Sequence, residues 1–354
     1  MRLIDRYIGR TVAVNTAVVM LVLLALYFFT TLVDEMGDVG KANYTAAGAI
    51  QYSLLMMPRL SYEIFPLGAL LGSMLGLGSL ASSSELTVIR AAGVSVWRIV
   101  LSVLKVGLVM MAVMLVLGEA VAPPAEEYAR IQRAEALSKR ISVNTDFGLW
   151  ARDGNTFVNI RRLLSEGRLS QIYLYQYDGQ QRLRQIVHAR EGRYRNGHWQ
   201  LRRVDKTLFG DDQVSVRHEA SEQWRSSLTP DVFNIVSMPP EKLSIWDLVG
   251  YVAYLRHNGL DASAYEVALW NRVMTPFATA GMVLMAIPFV FGSLRTVGVG
   301  QRIMVGALLG IVFYLFNAIF TRFGLVYGLA PFASAALPTM AVFATWGLLM
   351  RRIR

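Results

Sequence analysis

The sequence predicts a polytopic α-helical membrane protein with six transmembrane helices and an all-β domain inserted between the third and the fourth. Composition, two apolar regions and a series of turn signals lead to this fold class. Of the 354 residues, 54% are hydrophobic and 17% are charged, whereas soluble proteins are about 45–50% apolar. The apolar excess lies before residue 122 and after residue 270, so the middle of the chain has the composition of a soluble domain.

Six segments are apolar over the roughly 20 residues that a membrane-spanning helix needs. The first is too long for the core of a signal peptide, and no small-residue cleavage site follows it, so we interpret it as a retained helix. These segments divide the chain into 1–121 with three helices, 122–270 with the inserted domain and its helical connectors, and 271–354 with three more helices. The predicted spans are 11–33, 50–81, 99–121, 272–292, 302–321 and 331–350.

Basic residues in the short connections predict the orientation, because such loops are enriched in Lys and Arg on the cytoplasmic side. With six crossings, all four basic groups fall on one side, so both termini are expected in the cytoplasm and the inserted domain outside it. The groups are Arg2, Arg6 and Arg10; Arg90, Arg98 and Lys105; Arg295 and Arg302; and Arg351, Arg352 and Arg354.

The inserted region has the pattern of antiparallel β-structure. The pairs Asp153-Gly154, Asp178-Gly179 and Asn196-Gly197 are typical of tight hairpin turns, and segments rich in β-formers flank them. A further strand is predicted at VSVRHEA. Strands at this spacing indicate a sandwich or an open, barrel-like roll. Helical connectors are expected before it, at AEEYARIQRAEAL, and after it, from Ser244 to about His257.

Charge and motifs exclude several functions. The chain has a net charge of +10, but its inserted domain is nearly neutral, with 20 basic and 18 acidic residues between 120 and 270. The basic face of a nucleic-acid-binding domain is therefore not expected. With no cysteine, the chain has no disulfide framework and no Cys-based zinc site. It lacks the GxxxxGK[ST], HExxH and GxSxG motifs, so we predict no catalytic residue, metal or cofactor. We interpret its histidines as structural or surface residues: His188, His198, His218 and His257.

A cytoplasmic helix is predicted at about 82–95, between the second and third spans. Ser82 and Glu85 have the spacing of a capping box, and Gly93 is expected to end the helix. Such an amphipathic helix either lies on the membrane surface or docks into a groove on a soluble protein. The residues that follow the cap at helical spacing are Leu86, Ile89 and Arg90.

Three features lie within the spans. Gly68, Gly72 and Gly76 would allow close helix packing, either within one subunit or against a moving partner. Arg59 and Glu63 are i,i+4 neighbours, and Arg59 either faces a polar cavity or ligand or extends to the outer headgroups. Aromatic residues of the fifth span either pack or face lipid, or they line a cavity for acyl chains: Phe313, Tyr314, Phe316 and Phe320.

Several motifs together resemble the lipopolysaccharide-export permeases of the LptF/LptG type, and the LptG branch more closely. The resemblance covers essentially the whole chain. It is carried by IDRYIGRT, LVDEMG, FPLGALLGSMLGLGSLASSSEL, VIRAAG, GEAVAPPAEEYAR, GLWARDGNTFVNI and MAIPFVFGSLR.

This resemblance implies a permease subunit of an ATP-driven ABC transporter that extracts lipopolysaccharide from the bacterial inner membrane and passes it to a periplasmic bridge protein. The expected partners are a paralogous permease in a heterodimer, a dimeric cytoplasmic ATPase that binds the ATP, and a single-span accessory protein. The insert would be a periplasmic, jelly-roll-like domain. The cytoplasmic helix would dock on the ATPase through Glu85, Leu86, Ile89 and Arg90.

The resemblance also suggests where the lipid binds. Arg59, Arg130 and Arg133 match basic positions near the lipid phosphates, which arginine can bind bidentately. Gly37, Asp38 and Thr31 stand where family members can carry lysines, so part of the phosphate clamp is expected on Arg59, Lys41 or the partner subunit. Phe313 and Phe316 are expected beside the acyl chains. The alternatives are a permease for another anionic lipid or a lipoprotein, and a membrane scaffold without a transport role.

Overall fold

A computed structural model describes residues 3–137, 149–164, 168–195, 197–210, 213–226, 228–230, 239–291 and 297–352. Six helices in this part of the chain are long and apolar enough to cross a membrane, which confirms the predicted number. They are α1 (Leu3–Met36), α2 (Ala46–Ser82), the continuous segment Val96–Ala136, α7 (Ser263–Phe291), α8 (Val299–Tyr327) and α9 (Pro331–Arg351). Most are several residues longer than their apolar runs.

The third membrane helix contains an irregular turn. It comprises α4 (Val96–Val116), a π-helical turn (Leu117–Val121) and α5 (Ala122–Ala136). The predicted domain boundary between 121 and 122 thus falls at the end of the π-turn, inside one continuous helix. A further helix, α6 (Ile245–His257), lies between the inserted domain and α7 and begins with a capping box of Ser244 and Asp247.

The glycines of α2 face α1 of the same chain. A Cβ on Gly68 would meet the side chain of Met20, and one on Gly72 would meet the backbone of Thr16. Gly76 lies similarly close to the backbone of Val12. The small residues therefore permit close packing within the subunit, which is the first of the two roles that the sequence left open.

The cytoplasmic helix of the sequence prediction is shorter than expected. Helix α3 spans Glu85–Ala91, and the predicted capping box is wrong. Its N-cap is Ser84, whose side chain makes no capping hydrogen bond and whose φ is 61°. The Ser82 hydroxyl instead donates to carbonyl groups of its own helix, at Gly78 and Ser79. The predicted stop is confirmed, because Gly93 follows α3 with a φ of +87°.

Six antiparallel strands form one sheet, in which each strand pairs with the next in sequence. This confirms the inserted all-β domain. Asp153-Gly154 and Asp178-Gly179 lie at the predicted turns. Gly197 lies directly before the strand that begins at His198, with a φ of +81°, while Asn196 lies outside the described residues. The strands are β1 (Leu149–Asp153), β2 (Thr156–Leu164), β3 (Arg168–Tyr177), β4 (Leu183–Arg195), β5 (His198–Phe209) and β6 (Val214–Trp224).

A crease runs across this sheet. Gln171 and Arg203 have left-handed backbone conformations, with φ of 57° and 53°. Strand pairing is interrupted at their level in five neighbouring strands, although the register on both sides of the interruption is the same. The residues without a paired partner at this level are Arg161, Gln171, Arg190, Arg203 and Ala220.

The crease changes which side chains face the core. Leu169 and Ile172 are both buried, and so are Leu201 and Val204, whereas side chains three positions apart point to opposite faces of a flat strand. The two halves of the sheet therefore bury their side chains in one shared core, which includes Trp199. The sheet remains a simple meander on both sides of the crease.

Candidate functional site

Arg133 joins α5 to the connection between α1 and α2. Its Nε donates to Glu35 Oε2 at 2.6 Å, and its Nη2 donates to Asp38 Oδ2 at 2.7 Å. The other Asp38 oxygen, Oδ1, accepts from Lys41 Nζ at 2.6 Å. The guanidinium also lies over the ring of Tyr52, 5.4 Å from its centroid. Two of the predicted lipid-binding cations, Arg133 and Lys41, therefore share one carboxylate.

A second ion-pair cluster contains the other two predicted cations. Glu126 is buried and accepts from Arg130 Nη2 at 2.6 Å, while its second oxygen lies 4.0 Å from Arg59 Nε. Arg59 also donates to Glu63 Oε1 at 2.8 Å, which is the i,i+4 pair suggested by the sequence. The Arg59 side chain is only 8% exposed, so neighbouring protein groups enclose it. Lys242 belongs to the same polar cluster through its ion pair with Glu126.

Arg272 and Glu119 form a buried site that the sequence did not single out. Arg272 Nε donates to Glu119 Oε1 at 2.6 Å, and its Nη2 donates to the Gly118 carbonyl oxygen at 2.7 Å. The guanidinium lies over the Tyr62 ring. Arg272 and Arg59 also both donate to the carbonyl oxygen of Glu241, at 3.3 and 2.7 Å.

Prolines explain why this site forms at the π-turn. The Ala122 N–H donates to the Leu117 carbonyl, an i→i+5 bond. The corresponding donor for the Gly118 carbonyl would be residue 123, which is proline and has no N–H. Arg272 supplies the missing donor. The Pro123-Pro124 pair is therefore the sequence signal that could have indicated the irregular turn.

Hydrogen bonds connect this buried site to the sheet. The second oxygen of Glu119 accepts from the backbone N–H of Ile245, at the start of α6, at 2.7 Å. At the other end of α6, the Tyr254 hydroxyl donates to the Arg152 carbonyl at 2.7 Å. The Asn258 side chain accepts from the Gly154 N–H at 3.0 Å. Helix α6 thus links the π-turn to the β1–β2 hairpin.

The four residues predicted to dock on an ATPase lie on α3. Glu85 accepts hydrogen bonds from the hydroxyl groups of Tyr7, at 2.7 Å, and Ser83, at 2.9 Å. These two bonds, that of Tyr7 first, lower the pKa of Glu85 below its usual value, so it is anionic at neutral pH.

Leu86 is buried against the helical bundle and Ile89 is partly buried against it, whereas Arg90 is exposed. Leu86 and Arg90 line a cleft of about 340 Å³ between α3 and the end of α7 at Phe291. Helix α3 therefore has one face fixed to the bundle and another beside an open cleft.

The two phenylalanines of α8 have different surroundings. Phe313 packs against the hydrophobic core of the bundle. Phe316 is 37% exposed, and its ring lies against Phe320 with centroids 4.5 Å apart. The packing role suggested by the sequence therefore fits Phe313, while Phe316 has a free face on a helix whose apolar stretch is only 11% buried.

Comparison with known proteins gives consistent results over nearly the whole chain. Residues 6–352 match the family described as "Lipopolysaccharide export system permease LptF/LptG". The chain is 38% identical, over 354 residues, to the lipopolysaccharide export system permease protein LptG of Escherichia coli K12, covering 99% of this chain and 98% of that protein. It is 35% identical to the protein of the same name from Haemophilus influenzae, over 352 residues and with the same coverage.

Proposed function

Because the chain belongs to the LptF/LptG family of lipopolysaccharide export system permeases, we propose that it is the LptG-type subunit of an ATP-driven transporter. In this role it extracts lipopolysaccharide from the inner membrane and passes it to a periplasmic bridge protein. The observation that carries the proposal is the cationic clamp, defined here as Lys41, Arg130 and Arg133. Arg133 of α5 shares the Asp38 carboxylate with Lys41 of the α1–α2 connection, and Arg130 lies three positions before Arg133 on α5, paired with Glu126.

The chemistry of the clamp suits the cargo. Lipid A carries phosphate groups, and Arg133 and Lys41 present donors from two directions to one anionic position. Moving acyl chains out of a bilayer costs about 0.8 kcal/mol for each CH₂ group that leaves the apolar phase, so extraction needs an external energy source. The creased sheet, with its apolar inner face, would then receive the chains.

We assign the energy source to a separate subunit, since the sequence has no P-loop. In this proposal a dimeric ABC ATPase binds ATP and docks on α3 through Glu85 and Arg90, and a paralogous permease completes a heterodimer. A single-span accessory protein and the bridge protein bind on the other side of the membrane. The chain itself carries no catalytic residue and needs no cofactor.

The first test is purification of the tagged chain from its native membrane, with protein identification and lipid mass spectrometry on the same sample. We expect an ABC ATPase, a second permease and lipopolysaccharide. A double variant, Arg130→Glu with Arg133→Glu, should retain the proteins and lose most of the lipid. Arg225→Glu serves as control, because Arg225 is exposed on the inserted domain.

Each outcome has a distinct meaning. A different anionic lipid together with an ATPase would assign the chain to another lipid-export system. A chain that elutes without any ATPase would refute the transporter proposal and leave the scaffold role. If the double variant retained lipopolysaccharide at the wild-type level, the clamp would not be needed for binding the lipid.

A further inference from the structure

The cationic clamp already contains an anion. The carboxylate of Asp38 lies between Arg133 Nη2, at 2.7 Å, and Lys41 Nζ, at 2.6 Å. Each of its oxygens accepts from a different cation, which is the arrangement that a phosphate group adopts between two basic side chains. Asp38 thus occupies the position that a lipid phosphate would take.

Glu35 and Asp38 bind the same guanidinium but differ in their surroundings. The Glu35 side chain is 9% exposed and accepts a second hydrogen bond from the Tyr44 hydroxyl at 2.9 Å, so it is fixed within the protein. The Asp38 side chain is 25% exposed and lies in the turn that connects α1 and α2. Its outer cation, Lys41, is 65% exposed. Asp38 is therefore the carboxylate that a ligand from outside can replace.

We propose that Asp38 is an internal competitor for the lipid phosphate and sets the affinity of the clamp for phosphorylated cargo. This inference rests on the proposed function and adds a residue to it. With Asp38 in place, Arg133 and Lys41 remain ordered between transport cycles, and a phosphate must displace the carboxylate to bind. The same carboxylate favours release of the lipid, because it restores both ion pairs when the phosphate leaves. Glu35 holds Arg133 in position throughout.

The test measures lipid binding to the complete transporter in nanodiscs, using diphosphoryl and monophosphoryl lipid A as probes. We expect Asp38→Asn to bind diphosphoryl lipid A about fivefold more tightly than the wild type, the factor for two unit charges about 4 Å apart in water. Dephosphorylated lipid should bind both proteins equally. The gain should shrink at high salt, since exposed charges are screened.

Two further variants separate this role from general electrostatics. Asp34→Asn removes the same charge from an exposed position four residues away, and no hydrogen bond or ion pair of the Asp34 carboxylate occurs among the described residues. It should leave binding unchanged. Glu35→Gln should lower the thermal stability without tightening binding. If Asp38→Asn proves unstable, Lys41→Gln removes the other donor at the same position and should weaken binding of diphosphoryl lipid A severalfold.

The inference would be overturned if Asp38→Asn and the wild type bound diphosphoryl lipid A with equal affinity. It would also be overturned if Asp38→Asn and Asp34→Asn raised that affinity equally. An unchanged affinity in Lys41→Gln would do the same. A wild-type transporter that binds no phosphorylated lipid would instead refute the proposed function, and that result is seen before any variant is compared.

Discussion

At the scale of single residues, two hydrogen bonds from within the chain fix the position of the Glu85 carboxylate before any partner binds. Tyr7 reaches it from the start of α1, and Ser83 from the connection between α2 and α3. Hydrogen bonds to a carboxylate are stronger than those between neutral groups. Tyr7 is therefore a positioning residue, which ties the first membrane helix to the helix proposed to contact the ATPase.

We expect Tyr7→Phe to weaken the coupling between ATP hydrolysis and transport. The variant keeps the ring but loses the bond to Glu85, so lipid transferred per ATP hydrolysed should fall severalfold, toward the value of Glu85→Gln. The measurement is parallel phosphate release and lipid transfer in proteoliposomes. Tyr27→Phe is a matched control on the same helix, because the Tyr27 side chain is 43% exposed. A wild-type ratio in Tyr7→Phe would show that Glu85 acts without Tyr7.

The sequence revealed local pairs better than distant ones. The bond between Arg59 and Glu63 could be anticipated from their i,i+4 spacing. The partners of Arg133 are 98 and 95 positions away, and Glu119 is 153 positions from Arg272, so their proximity depends on the packing of whole helices. The counter-ions of Arg133 were therefore not predictable from spacing in the sequence, whereas those of Lys41 and Arg130 lie three and four positions away.

At the scale of helices, close approach of α1 and α2 depends on glycine. We expect Gly72→Ala to destabilise the protein, because its Cβ would overlap the Thr16 Cα, and backbone atoms cannot move aside as side chains can. Overpacking of this kind costs about 1–3 kcal/mol. The measurement is thermal unfolding in detergent, followed by tryptophan fluorescence.

Gly347→Ala provides the matched control for this substitution. Gly347 lies inside α9, and a Cβ there would meet no atom within 4 Å. This variant should therefore be neutral or slightly stabilised, since alanine favours a helix more than glycine does. If both variants had the same melting temperature, α1 and α2 would be able to move apart to admit the methyl group at little cost in free energy.

Helix ends were less predictable than helix interiors. Ser82 and Glu85 match the capping-box pattern, yet α2 continues through Ser82, whose hydroxyl bonds to the preceding turn of that helix. Serine forms such bonds to carbonyl groups of its own helix as readily as it caps the next one. The spacing alone does not distinguish the two, so the helix began three residues later than expected.

At the scale of the whole molecule, two simple signals were sufficient for the architecture. Hydropathy gave the six membrane helices, and Gly-containing turns gave the hairpins of the insert. The crease was not predictable, because Gln171 and Arg203 adopt left-handed conformations that their residue types do not favour. The same holds for the link from the π-turn through α6 to the β1–β2 hairpin, which joins residues far apart in sequence.

Orientation in the membrane is the whole-molecule property that the basic loops predict and that a labelling experiment can decide. The chain has no cysteine, so a single introduced cysteine reacts without background, and the wild type is its own control. Gly179 lies in the β3–β4 turn and Ala92 is exposed after α3, so both positions tolerate a cysteine.

With an impermeant maleimide on spheroplasts, Gly179→Cys should react at once and Ala92→Cys only after lysis. Arg90 and Arg98 near Ala92 favour the cytoplasmic side, and the ATPase must reach α3 from there. The reverse labelling pattern would put the sheet in the cytoplasm and exclude both the coupling role of α3 and delivery of lipid to the periplasm.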